Sequence, residues 1–101
     1  MPVEFVTQTV SIPAGTGKRM INGSVTTSPG SVIRRAGIAV NGFKLDYVHA
    51  DHHINLVEID TRILDFADNH VNFRVDCHYA DKDFNDPYAG YVEVLVIADV
   101  A

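Results

Sequence analysis

The chain has 101 residues and a mass of 11.1 kDa, with 47% hydrophobic residues, 21% charged residues and a formal net charge of −5. These proportions fit one globular domain spanning 1–101 and exclude a disordered chain. No stretch approaches the ~20 uninterrupted apolar residues of a membrane-spanning helix, and one cysteine, Cys77, excludes an internal disulfide framework and a multi-cysteine zinc site.

Met1-Pro2-Val3-Glu4 supplies neither a basic n-region nor an apolar h-region, so no secretory signal is expected. Turn signals then recur at short intervals: Pro13-Ala14-Gly15, Ser28-Pro29-Gly30, Asn41-Gly42, Ala67-Asp68-Asn69 and Asn85-Asp86-Pro87. Short strands between such signals predict an all-β sandwich or barrel. The expected strands are 3–12, 18–27, 32–47 (interrupted), 53–65, 70–80 and 90–100.

Gly15-Thr16-Gly17-Lys18 has the composition of a phosphate loop but not its spacing. No glycine lies five residues before Gly17, and Arg19 stands where Ser or Thr belongs, so a turn is expected. In 32–47, Ile38 and Val40 occupy even positions while Phe43, Leu45 and Tyr47 occupy odd ones. A β-bulge at Asn41-Gly42 explains the switch and is preferred to a hairpin with two short arms.

Residues 53–65 admit two readings. Val57, Ile59, Thr61 and Ile63 alternate with Glu58, Asp60 and Arg62, yet Leu56, Ile59, Ile63 and Phe66 fit a helical stripe. The β-branched residues favour a strand. Residues 70–80 alternate cleanly, with Val71, Phe73, Val75, Cys77 and Tyr79 on one face and Asn72, Arg74, Asp76 and His78 on the other. A hairpin of these two strands, with Ile59 opposite Val75 and Asp60 opposite Arg74, would match apolar faces and opposite charges. The last strand is apolar on both faces, with Val92, Val94, Val96, Ala98 and Val100 on one and Leu95 and Ile97 on the other. Such a strand is either central and covered or, the preferred reading, at a subunit interface.

Charge divides along the chain. Residues 1–45 set Lys18, Arg19, Arg34, Arg35 and Lys44 against Glu4, a net of +4; residues 46–101 carry −9, and ten of their twelve acids are Asp. Five cations without a run or interleaved aromatics do not make a nucleic-acid footprint. The acidic part holds two clusters. His49-Ala50-Asp51-His52-His53 has ligand-type residues, but its spacing matches no common zinc pattern, and neighbours such as His52 and His53 on a strand point apart. A polar loop is the plainer reading, and a hydrogen-bonding loop at a binding edge is a third.

Asp81-Lys82-Asp83-Phe84-Asn85-Asp86-Pro87-Tyr88 is the densest polar cluster. Asp81, Asp83 and Asn85 have the first spacings of a calcium loop, but Asp86 stands where Gly belongs and Val92 where Glu belongs. A solvated loop and an irregular calcium loop both stay open, and no other cofactor is indicated. Tyr79, Phe84, Tyr88 and Tyr91 interleave with the carboxylates, and ring faces beside hydrogen-bonding groups suit sugars. Enzyme chemistry is not indicated. Cys77 falls on a core face, a Cys77–His78 dyad is excluded because strand neighbours diverge, and nothing fixes two carboxylates at a glycosidase separation.

Residues 32–100 carry a resemblance. Ile38-Ala39-Val40-Asn41-Gly42-Phe43-Lys44-Leu45-Asp46, Asn55-Leu56-Val57-Glu58, Val71-Asn72-Phe73-Arg74-Val75 with Tyr79, and Tyr91-Val92-Glu93-Val94-Leu95-Val96-Ile97-Ala98 are similar to strands of the H-type lectins, the family of snail agglutinin and discoidin carbohydrate-binding domains. The resemblance implies a six-stranded antiparallel β-sandwich, a homotrimer, and sugar sites at subunit boundaries that favour N-acetylgalactosamine-type ligands. This sequence departs from the family in having no Trp, in having Val57 where the family's sugar-contacting Arg falls, and in a longer, more acidic loop after Tyr79. The expectation is a non-catalytic, lectin-like carbohydrate-binding module that acts at a cell surface or outside the cell, without membrane insertion. Tyr79, Asp81, Asp83, Asn85, Asp86 and Tyr88 would form the binding loop, and Asp46, His52 and His53 would contribute from a second loop. The alternative is a structural module of a multi-subunit apparatus such as a tail or spike.

Overall fold

The computed structural model describes residues 2–49, 54, 56–80 and 86–101. Six strands follow in order: β1 (Val3–Gly15), β2 (Arg19–Thr26), β3 (Ile33–Tyr47), β4 (Leu56–Ala67), β5 (His70–Ala80) and β6 (Tyr88–Val100). They form two three-stranded antiparallel sheets, β1-β6-β3 and β2-β5-β4. The architecture is all-β and sandwich-like, 49 Å long and 18 Å across in both other directions.

Alternation explains the core. On β5, Val71, Phe73, Val75 and Cys77 are fully buried and Tyr79 nearly so; on β6, Tyr88, Val92, Val94, Val96 and Ala98 are fully buried. Each of the valines and Phe73 is worth about 1.5–3 kcal/mol when moved out of water. Both strands are central in their sheets, so every inward residue has neighbours on four sides. The β4 segment is a strand throughout, and the helical stripe is not used. Its β-branched residues fit a pleated surface paired along its length with β5.

The bulge expected in β3 is present. Its register on β6 shifts between Val40 and Gly42, which moves the inward set from Ile38 and Val40 to Leu45 and Tyr47 while pairing continues. A second closeness is set by Gly90. A Cβ on Gly90 would overlap the carbonyl oxygen of Lys44, so only glycine lets β3 and β6 approach there.

The β4–β5 register differs from expectation. Ile59 faces Cys77 rather than Val75, Asp60 faces Asp76 rather than Arg74, and Arg62 faces Arg74. The hairpin turns over Asp68 and Asn69, with Asp68 at a left-handed φ of 52° and Ala67 paired to His70, and a bulge follows between Ile63 and Asp65. The tight turn and the bulge together fix the register, and charge pairing at about 0.2–1 kcal/mol yields to them. An offset of two residues leaves every side chain on its expected face. The two like-charged pairs are eased within β5, where Arg74 Nε lies 3.0 Å from Asp76 Oδ1.

β6 is central, yet its outer face is open at Ile97, which is exposed beside Val3 and Phe5 of the paired β1 strand. Replacement of Gly90 by Ala should break the β3–β6 approach and cost more than about 2 kcal/mol, read as a fall in the urea midpoint, whereas Gly37→Ala, with open space above it, should leave the midpoint near wild type.

Candidate functional site

One end of the molecule gathers the described members of the predicted site. β3 arrives there with Asp46 and Tyr47, β5 leaves with Tyr79, and β6 begins with Tyr88 after Asp86 and Pro87. Tyr47 pairs with Tyr88 across the sheet, Asp46 pairs with Ala89, and Val48 N–H donates to the Pro87 carbonyl at 2.9 Å. The chain segments on either side of both predicted loops therefore converge on one end. His52, His53, Asp81, Asp83 and Asn85, including the Asp81-Asp83-Asn85 calcium candidate, lie outside the described residues. Among the described residues, no three His, Cys, Asp or Glu side chains cluster as a metal site.

The tyrosines divide by depth. Tyr79 stacks at a tilt on Tyr47, with ring centroids 4.7 Å apart, and on Tyr88 at 5.9 Å. Tyr47 is half-buried, Tyr79 is nearly buried and Tyr88 has no exposed area. Within the single chain, Tyr88 opens β6 and lies beneath the other two rings. Its hydroxyl donates to Gly17 O at 2.7 Å and also lies 3.2 Å from Cys77 O, with Cys77 Sγ at 3.7 Å. The Arg19 guanidinium lies 5.9 Å from the ring centre and donates to Pro13 O at 2.8 Å. Tyr88 thereby ties the β1–β2 turn to the core, and the predicted turn at Gly15–Lys18 is held by it.

Polar groups form the rim. Asp46 is exposed, with Lys44 Nζ 3.8 Å from its carboxylate; Asp86 is half-buried. Burial raises the Tyr79 phenol above its ordinary value, and the Asp46 carboxylate raises it further, so that ring stays neutral beside an anionic acceptor. Carboxylate acceptors next to partly exposed aromatic carbon can take hydroxyls and C–H faces together. The sequence reading missed Tyr47, Arg19 and Gly17. Tyr47 shares the odd phase of Leu45 and so was legible as an inward ring. The links of Arg19 and Gly17 to Tyr88 span some 70 residues of chain and left no local mark.

Compared with protein-family models, curated proteins and solved structures, the chain matches none.

The buried pair Cys77 and Tyr88 sets an alkaline limit. Burial raises the Cys77 thiol above its ordinary 9.0, and burial followed by the Cys77 contact raises the Tyr88 phenol well above its ordinary 10.0. The unfolded chain loses these protons first, so stability holds below about pH 9 and falls as pH rises above it. Tyr88→Phe should lower stability by about 1–2 kcal/mol at neutral pH, because two carbonyls lose a donor. It should also flatten the decline above pH 10. Denaturant titrations from pH 7 to 11 on both proteins check the two effects.

Proposed function

We propose that the protein is a non-catalytic, lectin-like carbohydrate-binding module that works as a homotrimer, with its ligand site at the end formed by Asp46, Tyr47, Tyr79 and Asp86. The observation that supports this most is the convergence of both predicted loop segments on one end, where carboxylates border a tyrosine stack. Asp46 and Asp86 accept hydrogen bonds from ring hydroxyls, and the partly exposed Tyr47 edge receives an apolar sugar face. Tyr88 acts from beneath, by holding Tyr79. The resemblance of residues 32–100 to H-type lectins supports the same reading.

A second reading, a structural module of a multi-subunit apparatus, has its own observation. Val3, Phe5 and Ile97 are exposed together on the outer face of one sheet, a surface suited to assembly.

A glycan array probed with labelled protein, in calcium and in EDTA, separates the two. The expected result is selective signal on amino-sugar glycans. Asp46→Ala and Asp86→Ala should each weaken binding by about tenfold or more, as loss of a hydrogen bond to a charged group does, and for the exposed Asp46 the thermal midpoint should stay unchanged. Loss of signal in EDTA would assign a cation to the 81–85 segment. A folded protein that binds nothing in either buffer would overturn the lectin reading in favour of assembly.

A further inference from the structure

Four strands are sheet edges, and three of them carry features that discourage a further strand. β3 is bulged between Val40 and Gly42 and carries Arg34, Arg35 and Lys44; β4 is bulged between Ile63 and Asp65 and carries Asp60 and Arg62. β2 is the shortest strand, at 8 residues. β1 has none of these features. It runs from Val3 to Ile12 in unbroken register with β6. Its one charged residue, Glu4, is engaged by Ser28, whose N–H and hydroxyl donate to the carboxylate at 3.0 and 2.8 Å.

The ladder leaves alternate backbone groups of β1 unpaired. Val100 N–H donates to Pro2 O at 3.0 Å, and in an antiparallel pair the residues that exchange bonds recur at every second position. Glu4, Val6, Gln8, Val10 and Ile12 therefore turn their N–H and C=O groups to β6. Val3, Phe5, Thr7, Thr9 and Ser11 turn theirs outward. Among the described residues, one bond is made to this outward row: the exposed Gln8 side chain donates from Nε2 to Thr9 O at 3.3 Å. One donor and one acceptor at every second residue is the pattern that another extended backbone matches bond for bond.

The side chains of the outward row are graded along the strand. Val3 and Phe5 are exposed beside Ile97, whereas Thr7, Thr9 and Ser11 present hydroxyls. A second copy of β1 fits this gradient badly. Two-fold pairing over the full row sets Val3 against Ser11 and Phe5 against Thr9, apolar against hydroxyl at both ends. We propose that β1 is a docking edge for an extended segment of a different polypeptide, which adds antiparallel to β1 as the fourth strand of its sheet. The segment has no proline over the row. At alternate positions it carries hydroxyl residues first, beside Ser11, Thr9 and Thr7, and apolar residues last, beside Phe5 and Val3. It lies along the flank, clear of the end formed by Asp46, Tyr47, Tyr79 and Asp86, so the proposal goes beyond sugar binding and stands without it.

A library of random peptides of about nine residues, long enough to span the row, displayed on phage and selected on the full chain, tests this. Selected peptides should lack proline and show the stated order of hydroxyl and apolar positions, and the strongest of them, made synthetically, is the probe. Thr7→Pro should weaken its binding about tenfold or more while the strand circular dichroism holds, because the Thr7 N–H makes no bond to β6. Thr9→Pro repeats the test at a second outward position. Amide exchange reads the edge without any variant. In the free chain Phe5, Thr7, Thr9 and Ser11 should exchange quickly and Val6, Gln8, Val10 and Ile12 slowly, and the peptide should slow the first set. A selection that yields no peptide, or a bound peptide that leaves the outward amides fast, overturns the proposal. Outward amides that are already slow in the free chain, and slower at higher protein concentration, overturn it in favour of a second copy on the same edge. The glycan array keeps the two proposals apart. Peptide binding without glycan signal defeats only the lectin reading, and glycan signal without peptide binding defeats only the docking edge.

Discussion

In a three-stranded sheet only the middle strand has neighbours on both sides, and this limit governs the whole molecule. The chain assigns β5 and β6 to those two positions, and they alone have unbroken runs of fully buried alternate residues. Val71 to Cys77 on one strand and Val92 to Ala98 on the other make the core, and the four remaining strands are edges that shelter it. Among the described residues, no element beyond the six strands covers the flanks or outer faces.

That limit also explains why the two ends of β3 behave differently from its middle. At one end Ile33 is buried, anchored to the Asp68 turn; toward the other, Leu45 and Tyr47 fold under the tyrosine stack. Between them the bulge at Asn41 resets the phase, and Val40 and Phe43 are left facing inward without a roof. The bulge therefore aims Tyr47 into the stack that underlies the proposed ligand site.

The proposed site is rigid beneath and polar above. Tyr88 is locked by Gly17 and Cys77, Tyr79 rests on Tyr88, and Tyr47 rests on Tyr79. The stack does not require the charge of Asp46, which is exposed at the rim. Such a rim carboxylate can change without loss of the fold, which is how a β-framework supports recognition that varies at its ends.

Alternation and turn residues in the sequence determined the all-β class, the six strands, the bulge in β3 and the inward face of β5, because a side-chain period of two is a local property. They also brought out Tyr79, Asp86 and Tyr88 around one loop and Asp46 at a second. Which strand pairs with which, and at what offset, was not local. The Asp60–Arg74 pairing failed because the two-residue turn at Asp68-Asn69 and the bulge between Ile63 and Asp65 fix the β4–β5 register more strongly than surface charges do. The depth of Tyr88 came from a turn some 70 residues earlier in the chain. The exposure of Ile97 and Phe43 followed from sheet width. Sequence periodicity says which side of a strand is apolar; only the tertiary arrangement decides whether another part of the chain lies against it.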